Sequence, residues 1–254
     1  MSAHHHDAQP PPKRDDGVRF WPVGIIHSCF PEKFGIPRQP GMVRDAEAEL
    51  ELLPPFNRPE AVRGLEGFSH VWILFLFHAS LRERWRPTVR PPRLGGNLRV
   101  GVFASRSPFR PNPIGLSALE LRAISLVDGV RLLLGGVDLL DGTPVLDIKP
   151  YLPYADSIGG ASTGYSEAPL SPDRAVVFDQ QPLGYLRGLP ESDGQRLRSL
   201  IMQVLLHDPR PGYLEDKGGQ RRFGLRLEDV NVGWVCDEQL FRVIRIDPWA
   251  EEGT

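Results

Sequence analysis

IGLSALELRAISLVDGVRLLLGGVD, Ile114 to Asp138, decides the fold. Two apolar-rich stretches, Ile114 to Val127 and Val130 to Asp138, flank the tetrad Val127-Asp128-Gly129-Val130. An Asp-Gly pair suits a tight turn whose central residues take positive φ, so its flanks are predicted to be antiparallel neighbours. Upstream, FSHVWILFLF (Phe68 to Phe77) is apolar on both faces, as a doubly covered strand would be. AEAELEL (Ala46 to Leu52) alternates instead, as a strand with one wet face does. VRFWPVGIIHS (Val18 to Ser28), RVGVFA (Arg99 to Ala104) and PVLDIK (Pro144 to Lys149) add further strand candidates. Residues 18–157 are therefore predicted to be predominantly β, and many strands with a doubly covered member favour a closed or nearly closed barrel.

Past this region IGGASTGYSEAPLSPD (Ile158 to Asp173) is small, polar and proline-bearing, which is how a linker reads. After the strand RAVVFD, the segment ESDGQRLRSLIMQVLLH places Leu197, Leu200, Ile201, Val204 and Leu205 on one helical face. Asp208-Pro209 stops that helix, and QRRFGLRL, VNVGWVC and LFRVIRI follow as strands. The expected fold is mainly β: an N-terminal β-barrel domain with a smaller C-terminal α+β domain. The expected boundaries are a disordered, proline-rich tail at 1–17, the barrel at 18–157, a linker at 158–172 and the α+β domain at 173–254.

Composition narrows the setting. With 41% apolar and 24% charged residues the chain falls in the ordinary soluble range. No apolar run approaches the roughly 20 residues that cross a bilayer, so no membrane role is expected. The start, MSAHHHDAQPPPKRDD, lacks the apolar core of a secretion signal, and Cys29 and Cys236 read as reduced thiols. A cytoplasmic protein is the expectation. A net charge of −2 argues against coating nucleic acid by bulk attraction, yet leaves room for a local basic patch. Arginines 82, 84, 86, 90, 93, 99, 106 and 110 form such a patch, opposed in that stretch only by Glu83. Its two readings are an anionic partner and a solvated loop.

Common catalytic signatures are missing from the sequence: no phosphate-binding loop, no G-x-G-x-x-G, no G-x-S-x-G elbow and no H-E-x-x-H. Asp138, Asp141, Asp147 and Asp156 lack calcium-loop spacing, no metal site is expected, and Asp141-Gly142 reads as a turn. In ASRSPFRPNPIGLS (Ala104 to Ser117), prolines 108, 111 and 113 stiffen a loop carrying Arg106 and Arg110. Planar guanidinium groups on such a loop suit a carboxylate or phosphate, or else a clasp onto acids such as Asp138. EKFGIPRQPG (Glu32 to Gly41) is a second loop of this kind. His70 and His78 are expected to be hydrogen-bonded structural residues, and Trp72, Phe75 and Phe77 core. DPRPGY (Asp208 to Tyr213) sets an acceptor before an aromatic ring, which suits an exocyclic adenine amine stacked on that ring; the same dipeptide also suits a plain helix stop.

Taken in order, EKFGIPRQPG, LEGFSHVWILFLFH, WRPTVRPPRLGGN, VGVFASRSPFRPNPIGLS, DLLDGTPVLDIKPYLPYADS and DPRPGY resemble the TsaA-like family, known as tRNA methyltransferase O. The resemblance spans about residues 18–157, with a weaker extension to the end of the chain. It implies a homodimeric β-barrel enzyme that uses S-adenosylmethionine to methylate N6 of threonylcarbamoyladenosine beside the anticodon of a threonine tRNA. It also implies cofactor contacts at Pro40, Gly41, Met42, Leu81, Arg82, Arg106, Leu116, Gly135, Gly136, Val137 and Asp138. Methyl transfer from a sulfonium needs positioning above all, and an acceptor could take the N6 proton. Asp208 is the expected acceptor, with Tyr213 stacking on the base. A competing reading is a barrel that binds an adenosine ligand as a sensor or RNA adaptor without turnover.

Overall fold

A computed structural model describes residues 18–81, 85–91, 98–166, 174–210, 221–236 and 240–249. In the first half, β1 (Gly24–Ser28), β2 (Glu47–Leu52), β3 (His70–Leu76), β6 (Ile114–Ser125), β7 (Arg131–Gly135) and β8 (Pro144–Pro150) close into a barrel of order β1-β2-β7-β6-β3-β8. A two-stranded ribbon of β4 (Thr88–Val89) and β5 (Val100–Gly101) stands beside it. The Asp-Gly hairpin forms as read: Asp128 and Gly129 both take positive φ, and β6 and β7 pair antiparallel from Ser125↔Arg131 to Glu120↔Gly135. Inward residues alternate, as the two-residue strand period demands. Leu50, Ile73, Leu119, Leu132 and Leu134 are buried in the interior.

The β3 strand departs from the doubly buried expectation. Val71, Ile73 and Phe75 point inward and are buried, while Trp72, Leu74 and Leu76 on the outer face are half-buried. Two other strand predictions run too long. VRFWPV forms no strand, because β1 starts at Gly24 where its partners Leu52 and Val145 lie, and Val18, Phe20 and Trp21 are exposed. RVGVFA yields only Val100–Gly101, after which Val102–Ala104 turns in a 3-10 helix whose Val102 N–H donates to Pro87.

In the second half, β9 (Ala175–Phe178), β10 (Arg221–Leu227), β11 (Val230–Cys236) and β12 (Leu240–Pro248) form a sheet of order β10-β11-β12-β9, with β9 parallel to β12. A short helix, α1 (Pro153–Asp156), follows the barrel, and two longer ones, α2 (Gln180–Arg187) and α3 (Glu191–Leu206), pack on this sheet. The α3 face is the one read from periodicity: Leu197, Leu200, Ile201, Val204 and Leu205 are all buried. Sequence reasoning missed α2 because Pro182 reads as a breaker. It stands at the third helical position, where its absent N–H would have had no intrahelical partner.

The two halves share one hydrophobic core, which runs from Ile26, Phe30 and Val43 to Val204, Leu225 and Trp234. Burial pushes the Cys29 thiol within it up to about 12, so this cysteine is a packing residue rather than a nucleophile. The segment between β1 and β2 is the junction. Glu228 N–H donates to Cys29 O (2.9 Å), Arg226 N–H to Glu32 Oε1 (2.8 Å) and Asp45 N–H to Gln203 Oε1 (3.2 Å). The loop carrying Pro40, Gly41 and Met42 is thus held by the C-terminal unit as well as by the barrel.

Candidate active site

A cleft of about 530 Å3 opens on the outside of the barrel at the β3 and β6 ends. Its apolar wall includes Ile36, Phe77, Ile114 and Leu116, and its polar groups include His78, Arg106, Ser117 and Asp138. A mostly apolar recess with a few convergent polar groups is the usual form of a small-molecule site. Phe75 reaches the same wall from the barrel core. A Cβ on Gly115 would lie 2.2 Å from its ring, so the ring occupies the space that any larger residue would need.

Asp138 is the electrostatic centre. Ser117, itself 1% exposed, donates to Asp138 Oδ1 at 2.7 Å. Burial raises this carboxyl from 3.8 to about 6, although the Ser117 hydrogen bond and the charge on Arg106 both pull it down. A carboxyl so enclosed, with lone pairs to spare, is ready to receive a cation or a hydroxyl group. Arg106 stays exposed at the cleft mouth, where its Nη1 donates to Gln39 Oε1. Arg110 behaves otherwise: it folds back to donate to the carbonyls of Ser105 (3.0 Å) and Ser107 (3.4 Å), clasping its own proline-rich loop. Both arginines read from that loop line the cleft, Arg106 at its mouth and Arg110 while also securing the turn.

Among the residues read from resemblance, Arg106, Leu116 and Asp138 line the cleft together. Pro40, Gly41, Met42, Gly135, Gly136 and Val137 do not line it, although Gly41 and Gly136 meet one another. Gly41 N–H donates to Gly136 O at 2.8 Å, and Val137 N–H donates to Ala46 O at 3.2 Å. Gly136 has φ 67°, and a Cβ there would come within 3.1 Å of Gly41 Cα, so glycine permits this close approach. Leu81 is exposed just past the Ser80 edge of the cleft; Arg82 lies outside the described residues. Asp141 is a turn residue as read, accepting from Ser28 N–H at 2.9 Å.

Other expectations are corrected. Trp72 and Phe77 are only half-buried and line the cleft, and Trp72 Nε1 donates to Asp156 Oδ2 at 2.9 Å. His70 makes the expected hydrogen bond, with Ser69 Oγ at 2.9 Å, but is exposed and not core, whereas His78 sits in the cleft wall. Nothing in the sequence separated these two histidines, since both border the same strand. Lys33, Ile36, Arg38 and Gln39 also line the cleft, and the loop reading of EKFGIPRQPG was their only signal.

Asp208 is placed differently from a free acceptor. It has φ 44° just beyond α3, and its carboxylate accepts from Arg210 Nε (2.8 Å) and Nη2 (2.7 Å) and from Arg174 Nη1 (3.4 Å). Two guanidinium groups occupy its lone pairs, which suits an anchor. Asp208 is also absent from the cleft wall. Tyr213 lies outside the described residues. Among the described residues no cluster of three or more His, Cys, Asp or Glu side chains could hold a metal ion.

Fold and cleft together define a small-molecule-binding β-barrel whose ligand space is shaped by an enclosed carboxyl and an exposed guanidinium. Comparison with known proteins gives the family. Residues 25–157 match the model of the tRNA-methyltransferase O N-terminal domain, and residues 171–249 match that of the TrmO C-terminal domain. The chain is 48% identical over 231 residues to the tRNA (adenine(37)-N6)-methyltransferase of Escherichia coli (strain K12), covering 91% of this chain and 98% of that protein. It is 39% identical over 150 residues to a protein of Pyrococcus abyssi named as a probable S-adenosyl-L-methionine-binding protein, covering 59% and 77%. The crystal structure of TrmO from Pseudomonas aeruginosa superposes with a TM-score of 0.72 at 44% identity, covering 91% of this chain and 98% of that one. This chain belongs to the tRNA methyltransferase O family.

Proposed function

We propose that the chain is an S-adenosylmethionine-dependent tRNA methyltransferase acting on N6 of an adenine, the threonylcarbamoylated adenine beside the anticodon of a threonine tRNA. One observation carries the reading: the Ser117–Asp138 pair and Arg106 converge on a cleft of about 530 Å3 that is otherwise largely apolar. These residues fit the donor. Arg106 is suited to the amino-acid carboxylate, Asp138 to the ammonium or the ribose hydroxyls, and Leu116 to a flank of the adenine. Pro40, Gly41, Met42, Leu81, Arg82 and Gly135 to Val137 complete the donor-binding set. When bound, the sulfonium supplies an electrophilic methyl group with a good leaving group.

The chain's own contribution is then orientation and exclusion of water. Phe77, Ile114 and Leu116 shield the reacting centre, and the Gly41–Gly136 contact fixes the loop against the Asp138 wall. Among the described residues of the cleft wall, Asp138 offers a carboxylate and His78 an imidazole nitrogen as acceptor. With Asp138 committed to the donor, His78 receives the proton released from N6. Asp208 holds Arg210, and Tyr213, outside the described residues, is the ring that stacks on the base. The barrel (18–157) holds the donor, and the α+β unit (173–254), reached through 158–172, presents the tRNA. The enzyme is a cytoplasmic homodimer.

The test is transfer of labelled methyl from S-adenosylmethionine to tRNA with and without threonylcarbamoyladenosine, followed by nucleoside analysis. Label in an N6-methylated product, strong only with the modified tRNA, is the expected result. His78→Gln should lower turnover while donor affinity holds. Donor binding without transfer to any tRNA would establish the sensor or adaptor reading instead. Light scattering checks the dimer.

A further inference from the structure

A second, larger recess of about 1300 Å3 adjoins the donor cleft, and the two share Arg38, Gln39, Ser105, Arg106 and Pro108 in their walls. Its volume exceeds the roughly 300 to 1,000 Å3 of ordinary small-molecule sites. The β4–β5 ribbon forms one side and presents Arg86, Arg90 and Arg99, all exposed. Residues 162–166, part of the stretch read as a linker, form the other side, tied down by Tyr165 Oη donating to Ala104 O at 2.9 Å.

Exposed arginines cluster in this groove. Elsewhere some are matched, Arg122 with Glu47 and Glu120, Arg131 with Glu49, Arg196 with Glu228 and Arg242 with Asp179, while others, such as Arg44, Arg58, Arg63 and Arg187, have no ion pair among the described residues. In the groove, Arg86, Arg90 and Arg99 have no carboxylate within ion-pair distance among the described residues, and no described acidic residue lines it. Unmatched guanidinium groups repel one another, so the arrangement is relieved by an anion. Aromatic rings line the same groove. Phe103 is 74% exposed on the turn after β5, with Phe109 and Tyr165 partly exposed nearby. An exposed ring of this size gains nothing in water but offers a face for stacking a base. Arginine together with aromatic rings fits single-stranded RNA better than an acidic peptide, which would use the charge and leave the rings idle.

We infer that this groove is the track for the single-stranded tRNA segment flanking the target, with Arg86, Arg90 and Arg99 on its phosphates and Phe103 stacked on a base. It delivers the target nucleotide across Arg106 to the donor cleft. The inference rests on the tRNA methyltransferase reading.

The experiment measures binding of labelled tRNA to the full chain with S-adenosylhomocysteine present, across a range of salt concentrations, and separately methyl transfer. Arg90→Gln combined with Arg99→Gln should weaken binding about tenfold and flatten the slope of log K against log salt by about 1.4, near 0.7 for each phosphate no longer neutralised. Phe103→Ala should weaken binding about tenfold with the slope unchanged, and Phe103→Tyr should restore it. Arg245→Gln, which removes an arginine paired with Asp247 on β12, should change neither. A wild-type slope in the double variant, or full affinity in Phe103→Ala, overturns the groove. Displacement of tRNA by polyglutamate as effective as by an RNA oligonucleotide overturns it in favour of an acidic protein partner. Failure of the wild-type chain to methylate any tRNA is failure of the functional reading, and the binding measurements still judge the groove.

Discussion

Replacing Asp138 by asparagine should stabilise the protein while crippling donor binding. Raising a carboxyl from 3.8 to about 6 means that ionising it in the folded state costs about 3 kcal/mol more than in the unfolded chain. The sign follows from the direction: an acid with a raised folded value destabilises the fold progressively as pH climbs from about 4 to about 6, and fully above that. Asparagine keeps an oxygen to accept from Ser117 and never ionises. After allowing for the amide's own desolvation, Asp138→Asn should gain about 2 kcal/mol at pH 7.5, or about 4 to 8 °C in Tm. Near pH 4 the gain should vanish. Donor affinity should move the other way, falling about 10- to 100-fold through loss of a charge-assisted hydrogen bond. In the wild-type chain it should weaken as pH drops through 6, a dependence missing from the variant. Chemical denaturation from pH 4 to 8, paired with calorimetric titration of S-adenosylmethionine, reads all of this. A stability difference independent of pH would refute the enclosed-carboxyl account, and unchanged donor affinity would remove Asp138 from the site.

Three further outcomes are expected. Gly136→Ala combines a left-handed backbone with a methyl 3.1 Å from Gly41, so it should cost about 1 to 2 kcal/mol of stability and raise the donor Kd, read by denaturation and titration. His207→Ala removes the Nε2 hydrogen bond to Met42 O (2.6 Å) that pins the cofactor loop to α3; donor affinity should drop about 3- to 10-fold while tRNA affinity stays close to wild type. Asp208→Asn breaks a two-arginine anchor and should lower stability by about 1.5 to 3 kcal/mol, with turnover falling but its pH profile unshifted, whereas loss of a general base would shift that profile.

How much of this was legible depended on whether the determinant was local. The β6–β7 hairpin was readable because Asp128-Gly129 specifies its own turn, and α3 because five apolar residues fall on one face whatever they pack against. VRFWPV failed because a strand needs partners: β2 ends at Leu52 opposite Gly24, and the pairing of β1 with β8 stops at Val145. Individual site residues divided on the same ground. The Ala104 to Ser117 loop announced itself by its prolines, yet only three dimensions show Arg106 turned outward to Gln39 and Arg110 turned back on Ser105. Half of the Asp208 anchor was local, since Arg210 belongs to the same DPRPGY motif, but its second arginine, Arg174, comes from 34 positions away and no local motif contains it.

The position of Arg106 shows why fold and site are inseparable. It borders both the donor cleft and the arginine groove, and its partner Gln39 borders both as well. Neighbouring Arg38 donates to Arg210 O at 3.5 Å, and Arg210 is held in turn by Asp208. A continuous set of contacts therefore runs from the end of α3, through the loop between β1 and β2, to the carboxyl at the floor of the cleft. On the proposed function, RNA engaging the α+β unit or the groove would bear on the residues that orient the donor, and the donor would bear on them from the other side. If Arg106 serves both proposed anions, its single side chain makes the donor carboxylate and the incoming backbone compete for it unless Arg38 takes one of them. The shared wall of the two recesses makes Arg38 the residue in position to do so.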